Sequence, residues 1–141
     1  METEKNRAVA RRYIDEFWSK GKLELADELV NPAFTRIDPS TPWVSGDRDG
    51  VMQLMLALRS AFPDLHFEIQ ELVTSEDKVV VRWTTTGTHQ GQLLGIAPTG
   101  KSTTVMGISF YRLVGNQLVD ECTVWDTMGM MQQLGVIPTL A

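Results

Sequence analysis

Between Cys122 and Met131 the chain carries one charge, the carboxylate of Asp126 in the stretch ECTVWDTMGMMQQLG. A carboxylate set among Val124, Met128 and Met130 would hold its proton more tightly, because desolvation disfavours the charge. Such a group suits a general base working near neutral pH on a carbon flanked by two carbonyls. The resulting enolate could attack an aldehyde or ketone of the same molecule, and holding both ends together would supply much of the rate. An aspartate directly before TMGMMQQ is equally a helix N-cap, whose backbone donors and place at the positive helix end weaken its hold on a proton. The residues alone leave both readings open, and one side chain could do both. His89 in GTHQG is the second candidate. It lies at a strand end beside a glycine-rich loop, placed either to donate to a developing enolate or relay a proton, or to order the loop by bonding a backbone carbonyl.

Large apolar side chains supply a second signal. Phe17, Trp18, Phe34, Trp43, Met55, Phe62, Trp83, Met106, Cys122 and Met130 are candidates to line a pocket, although each singly reads as ordinary core. Together they suit a flat, apolar ligand, up to polycyclic in size, with a few polar handles. Trp43 sits in the proline-rich stretch DPSTPW and is expected to lid that pocket. Two histidines and one cysteine, far apart along the chain, do not make a metal site. APTGK lacks the spacing of a phosphate loop and reads as a turn held by Pro98 and Gly100. Asp38, Asp120 and Glu121 can pair with Arg36, Arg82 or Arg112, and exposed pairs of that kind contribute little.

The elements that must position these groups follow from periodicity. Val9, Tyr13 and Phe17, with Ala10, Ile14 and Trp18 beside them, form one broad apolar helical face, stopped at Gly21. Leu23, Ala26, Leu29 and Val30 predict a second short helix ended by Asn31-Pro32. FTRIDPSTPW follows as a short strand and a loop. Ser45 or Asp47 caps a third helix bearing Val51, Leu54, Met55 and Leu58, and Pro63 stops it. From Asp64 onward the pattern changes to strands: LHFEIQELV, KVVVRWTTTGTH, STTVMGISFYRL and QLVDECTVWD. In the last of these, Leu118, Asp120, Cys122, Val124 and Asp126 share one face and Val119, Glu121, Thr123 and Trp125 the other. A catalytic Asp126 needs the first set to face the pocket.

Helices first and an antiparallel meander after them make an α+β pattern. The expected architecture is a cone of about three N-terminal helices on a strongly curved antiparallel or mixed sheet, with Gly87 and Gly107 easing the curvature. The 141 residues suggest one domain, 1–141. A net charge of −5 without a basic stripe argues against nucleic acid or an anionic membrane as partner. No apolar run is long enough to span a bilayer, so a cytoplasmic protein is the default expectation. An open sheet face on a domain this small calls for a covering partner, which predicts a homodimer, with the apolar tail GVIPTLA contributing to the dimer or to closing the cone.

AFPDLHFEIQELV, VVVRWTTTGTHQG, GIAPTGK and WDTMGMMQQLG, in that order, resemble the SnoaL-like polyketide cyclases, also called ester cyclases, of the nuclear transport factor two-like superfamily. The resemblance covers nearly the whole chain. It implies a cone-shaped fold and an intramolecular aldol ring closure that uses no metal or organic cofactor. It also implies that Asp126, at the position of the family's acid/base, is the catalytic group, acting on a small apolar carbonyl ligand. Many relatives carry tryptophan where this chain has Cys122, a departure that bears on pocket shape. An isomerase or epoxide hydrolase on the same cone, or a pocket protein that only binds its ligand, are the alternatives.

Overall fold

A computed structural model describes residues 2–139. The first helix, α1 (Glu2–Arg12), runs into a π-helical turn, Tyr13–Trp18. Widening the helix there keeps Tyr13, Ile14, Phe17 and Trp18 all buried, so both apolar rows seen in the sequence face inward. Gly21 follows in the left-handed region at φ +67°, as a helix stop requires. The Arg59 guanidinium locks this corner, donating to the carbonyls of Trp18, Ser19 and Leu65 at 2.7–3.1 Å.

The second helix, α2 (Leu25–Leu29), is shorter than expected. Val30 opens strand β1 (Val30–Ile37), and Asn31-Pro32 lies inside that strand rather than in a helix stop. Pro32 is tolerated because the pairing shifts between Val30 and Thr35, where a missing N–H costs no ladder bond. Helix α3 (Arg48–Ala61) is capped by Asp47, whose carboxylate accepts from the Gly50 N–H at 2.8 Å.

Four further strands complete one sheet: β2 (His66–Ser75), β3 (Lys78–Thr88), β4 (Ser102–Val114) and β5 (Gln117–Trp125). Their order is β1-β5-β4-β3-β2, with β1 parallel to β5 and every other pair antiparallel. Helix α4 (Thr127–Leu134) ends at Gly135, φ +78°. The expected architecture is therefore found: helices packed on a curled, mixed sheet. Leu140 and Ala141, the end of the apolar tail, lie outside the described residues. Among the described residues no helix is long and apolar enough to cross a membrane.

One irregularity decides what the cone encloses. Leu113 pairs with Leu118 but Arg112 pairs with Asp120, so Val119 is an extra residue in β5. A bulge of this kind reverses the alternation beyond it. Leu118 faces the core on one side of the bulge; Glu121 and Thr123 are buried on the other, while Cys122 and Val124 are exposed. The face expected to carry the pocket, Cys122-Val124-Asp126, is thus the outer one.

Candidate active site

The helices and the concave sheet face enclose a cavity of about 70 Å³. Ile14 and Trp18 from the π turn, Leu54 and Leu58 from α3 and Phe62 just after it make its apolar wall. The opposite wall is polar and comes from three adjacent strands: Arg36 and Asp38 from β1 and the residue after it, Ser109 and Tyr111 from β4, and Glu121 and Thr123 from β5. Register explains the clustering. Arg36 pairs with Glu121 across β1 and β5, and Glu121 pairs with Tyr111 across β5 and β4. Directly opposed residues on one face bring their side chains together.

Glu121 is buried, and its Oε1 accepts from the Tyr13 hydroxyl at 3.1 Å. The Arg36 Nε lies 3.3 Å from the same oxygen, an ion pair between two buried side chains. No donor among the described residues holds Oε2. Asp38 is the second buried carboxylate. It accepts from the Trp125 indole N–H at 3.1 and 3.2 Å, from the Ser40 N–H at 3.0 Å and from Arg36 Nη2 at 3.4 Å.

Arg36 thus answers two carboxylates. Burial pushes Glu121 above the ordinary carboxylate range, against the opposing pull of Arg36 and the Tyr13 bond. Burial alone would weaken Arg36 as a cation, but the charges of Glu121, Tyr13 and Asp38 outweigh it and hold the proton more firmly. Burial first, and the negative charge of Glu121 second, push the Tyr13 and Tyr111 hydroxyls well above their usual range. The arrangement holds one carboxylate that takes a proton readily, beside phenols that stay protonated.

A neutral hydrogen-bond chain borders the charged cluster. The Trp83 indole N–H donates to Ser109 Oγ at 2.9 Å, and Ser109 and Thr123 hydroxyls lie 2.7 Å apart. Trp83 lies across Gly107: a Cβ there would be 2.2 Å from the indole ring. That glycine is needed for the close approach of a ring.

A model of the SnoaL-like polyketide cyclase family matches residues 8–134. The chain belongs to the SnoaL-like polyketide cyclase family. A proposed polyketide cyclase from Acidithiobacillus ferrooxidans is 34% identical, with a TM-score of 0.83 and 94% of this chain and 95% of that one covered. IdmH, a proposed polyketide cyclase from Streptomyces antibioticus, is 26% identical, with a TM-score of 0.82 and coverage of 92% and 98%. AclR, a proposed hydroxylase from Streptomyces galilaeus, is 24% identical with a TM-score of 0.86 over 99% of this chain and 86% of that one, and shows the fold alone. A comparison with curated proteins gives no match.

In this SnoaL-like chain Asp126 is exposed and caps α4, accepting from the Gly129 N–H at 2.9 Å. The expectation that it faces the pocket is corrected by the β5 bulge. The same bulge turns Cys122 outward. Met106 points away from the cavity on the outer face of β4, and Trp43 is exposed on its loop rather than lidding the cavity. Trp18, Phe62, Trp83 and Met130 do line the cavity. Phe17, Phe34 and Met55 are buried in the core without reaching it. His89 is fully buried but outside the cavity lining. Its Nδ1 accepts from the Thr99 N–H at 3.2 Å and its ring lies 5.5 Å from Phe62, the loop-ordering role with an amide in place of the expected carbonyl.

Proposed function

We propose that this chain is a cyclase-type carbon-acid enzyme in which Glu121 is the general acid/base. The observation that carries the reading is the Glu121 carboxylate itself. It is buried on the cavity wall, anchored through one oxygen by Tyr13 and Arg36, and raised in proton affinity by burial. Its Oε2 takes the proton from a carbon between two carbonyls, and the C–H electron pair passes into the enolate. The enolate carbon then bonds to the carbon of a third carbonyl, an aldehyde or ketone elsewhere in the same molecule. That carbonyl oxygen takes the proton back from Glu121, so the carboxylate is restored. The Tyr111 hydroxyl, next to Glu121 on the sheet and protonated across the working range, donates to the enolate oxygen. Asp38 acts through others, fixing the Trp125 indole and the Arg36 guanidinium.

A cavity of about 70 Å³ is small beside the 300–1,000 Å³ typical of ligand pockets. It accommodates the reacting dicarbonyl portion of a substrate, and a polycyclic one would extend beyond it.

Incorporation of solvent deuterium into a 1,3-dicarbonyl probe, followed by proton NMR, tests the assignment. Glu121→Gln keeps the Tyr13 contact and removes the base; a rate loss of about 100-fold or more is expected. Asp126→Ala should keep the wild-type rate. Equal rates for wild type and Glu121→Gln would refute the role of Glu121.

The proposed assembly is a homodimer through the outer sheet face. Ile108 pairs with Val124 there, and Cys122 lies between Phe110 and Ile37. Ile37, Met106, Ile108, Phe110, Val124 and Met128 are all exposed, which makes an apolar surface of the kind a second copy would cover.

A further inference from the structure

Enolate formation uses one rung of the sheet, Tyr111 opposite Glu121, and leaves the next rung idle. That next rung is Ser109 opposite Thr123, on the same face of β4 and β5. Two residues of strand separate the rungs, about 7 Å. Ser109 and Thr123 are both buried, and both line the cavity that holds Glu121.

A serine hydroxyl has one proton and two lone pairs. The Trp83 indole N–H occupies one lone pair of Ser109 Oγ at 2.9 Å. The Thr123 hydroxyl, 2.7 Å away, can act as acceptor or donor. In one setting Ser109 donates to Thr123, and Thr123 donates to the Ile108 carbonyl at 3.3 Å. In the other Thr123 donates to Ser109, and the Ser109 proton is released for an acceptor in the cavity. The change needs two hydroxyl rotations and gives up only the long bond to Ile108. Trp83 keeps its bond in both settings and polarises the serine, which strengthens Ser109 as a donor.

The aldol step brings an acceptor into the same space. The third carbonyl must come within bonding reach of the enolate carbon, so its oxygen enters this cavity. Negative charge builds on that oxygen as the bond forms, and a donor there speeds the step. Tyr111 is already engaged at the enolate oxygen, and Arg36 already faces Asp38 and Glu121. Trp83, Ser109 and Thr123 carry no charge. The rung therefore suits a neutral ketone or aldehyde oxygen and gives a carboxylate no counter-ion.

We propose that Ser109 donates a hydrogen bond to the oxygen of the third carbonyl, the electrophile of ring closure. The substrate is then a tricarbonyl compound whose isolated carbonyl is a ketone or aldehyde. This rests on the reading that Glu121 forms the enolate beside Tyr111. The enolate electron pair makes the new C–C bond, and the π pair of the third carbonyl moves to its oxygen. That oxygen takes the proton held by Glu121, while Ser109 keeps its own.

The probe is nonane-2,4,8-trione. Its paired carbonyls give the enolate, and its isolated ketone closes a six-membered ring. Proton NMR in deuterium oxide follows ring closure and deuterium uptake between the paired carbonyls in one sample, each less its rate without enzyme. The ratio of the two does not depend on how much of a variant is folded. Ser109→Ala should lower closure relative to uptake about 100-fold, the usual effect of losing one donor to a developing oxyanion. A second measurement starts from the wild-type protein. The 3,3-dimethyl derivative of the probe cannot form that enolate, and a carbon-13 label at its isolated ketone reports hydrogen bonding. Bound to wild type, the labelled carbon should resonate near its position in water, and in Ser109→Ala it should move toward its position in cyclohexane. A bound ketone at the cyclohexane position in wild type, or an unchanged ratio in Ser109→Ala, overturns the donor. Loss of uptake in Glu121→Gln beside an unchanged ratio in Ser109→Ala rejects the donor alone. If Glu121→Gln still takes up deuterium while the labelled signal moves in Ser109→Ala, the base is rejected and Ser109 stands as the donor.

Discussion

A buried carboxylate beside one arginine is a costly thing to fold around, and the cost depends on pH. Ionising Glu121 in the core means desolvating its charge, so the folded chain holds that proton more tightly than the unfolded chain does near 4.5. The group therefore favours folding below that pH, and the contribution is lost as pH rises through the native value. The melting temperature of wild type minus that of Glu121→Gln should fall as pH rises from about 4 to about 8. A constant difference would mean that the carboxylate is solvated. Asp126 behaves differently. As an exposed cap it contributes about 1 kcal/mol through the Gly129 bond, which Asp126→Ala should remove in a urea titration without touching the chemistry.

At the scale of elements, much was legible and one feature was not. The inward rows of α1, the faces of β3 and the caps follow from period and residue type. Both caps share a pattern, Asp47-x-x-Gly50 and Asp126-x-x-Gly129, in which the glycine lets the carboxylate fold onto its N–H. A Cβ at Gly129 would sit 2.1 Å from the Asp126 oxygen. That repeat was available in the sequence and favours the cap over the pocket for Asp126. The Val119 bulge was not available. Alternation predicts one face for the whole strand, and a single extra residue, visible only in the pairing with β4, exchanges Asp126 for Glu121 as the inward carboxylate. The pairing of Arg36 with Asp38 and Glu121 could be named from the sequence, but not its burial, since β1 reaches β5 by a parallel contact between distant segments. Sheet curvature at Gly107 gives a prediction of its own. Gly107→Ala would drive a methyl into Trp83 and should cost about 2 kcal/mol, read as a lower urea midpoint and a shifted tryptophan emission.

For the molecule as a whole, the same bulge that turns Glu121 inward turns Cys122 and Val124 outward, onto a sheet face already apolar at Ile108 and Phe110. The candidate site and the proposed dimer surface are then two sides of one sheet. Light scattering should give twice the 15.8 kDa chain mass for wild type and the single mass for Ile108→Glu. A wild-type monomer at micromolar concentration would rule out the dimer. Fold and family were readable because four motifs run through the chain in order. The substrate was not, because its pocket is assembled from helix, strand and loop residues far apart in sequence.

The most direct test joins proton affinity to rate: a carbon-13 titration of the Glu121 carboxyl, set beside the pH profile of deuterium exchange on the same sample. Glu121 should titrate above its ordinary value near 4.5, and the exchange rate should rise with the same midpoint. A rate that follows another group, or a Glu121 that titrates at or below 4.5, would contradict the assignment of Glu121 as the acid/base.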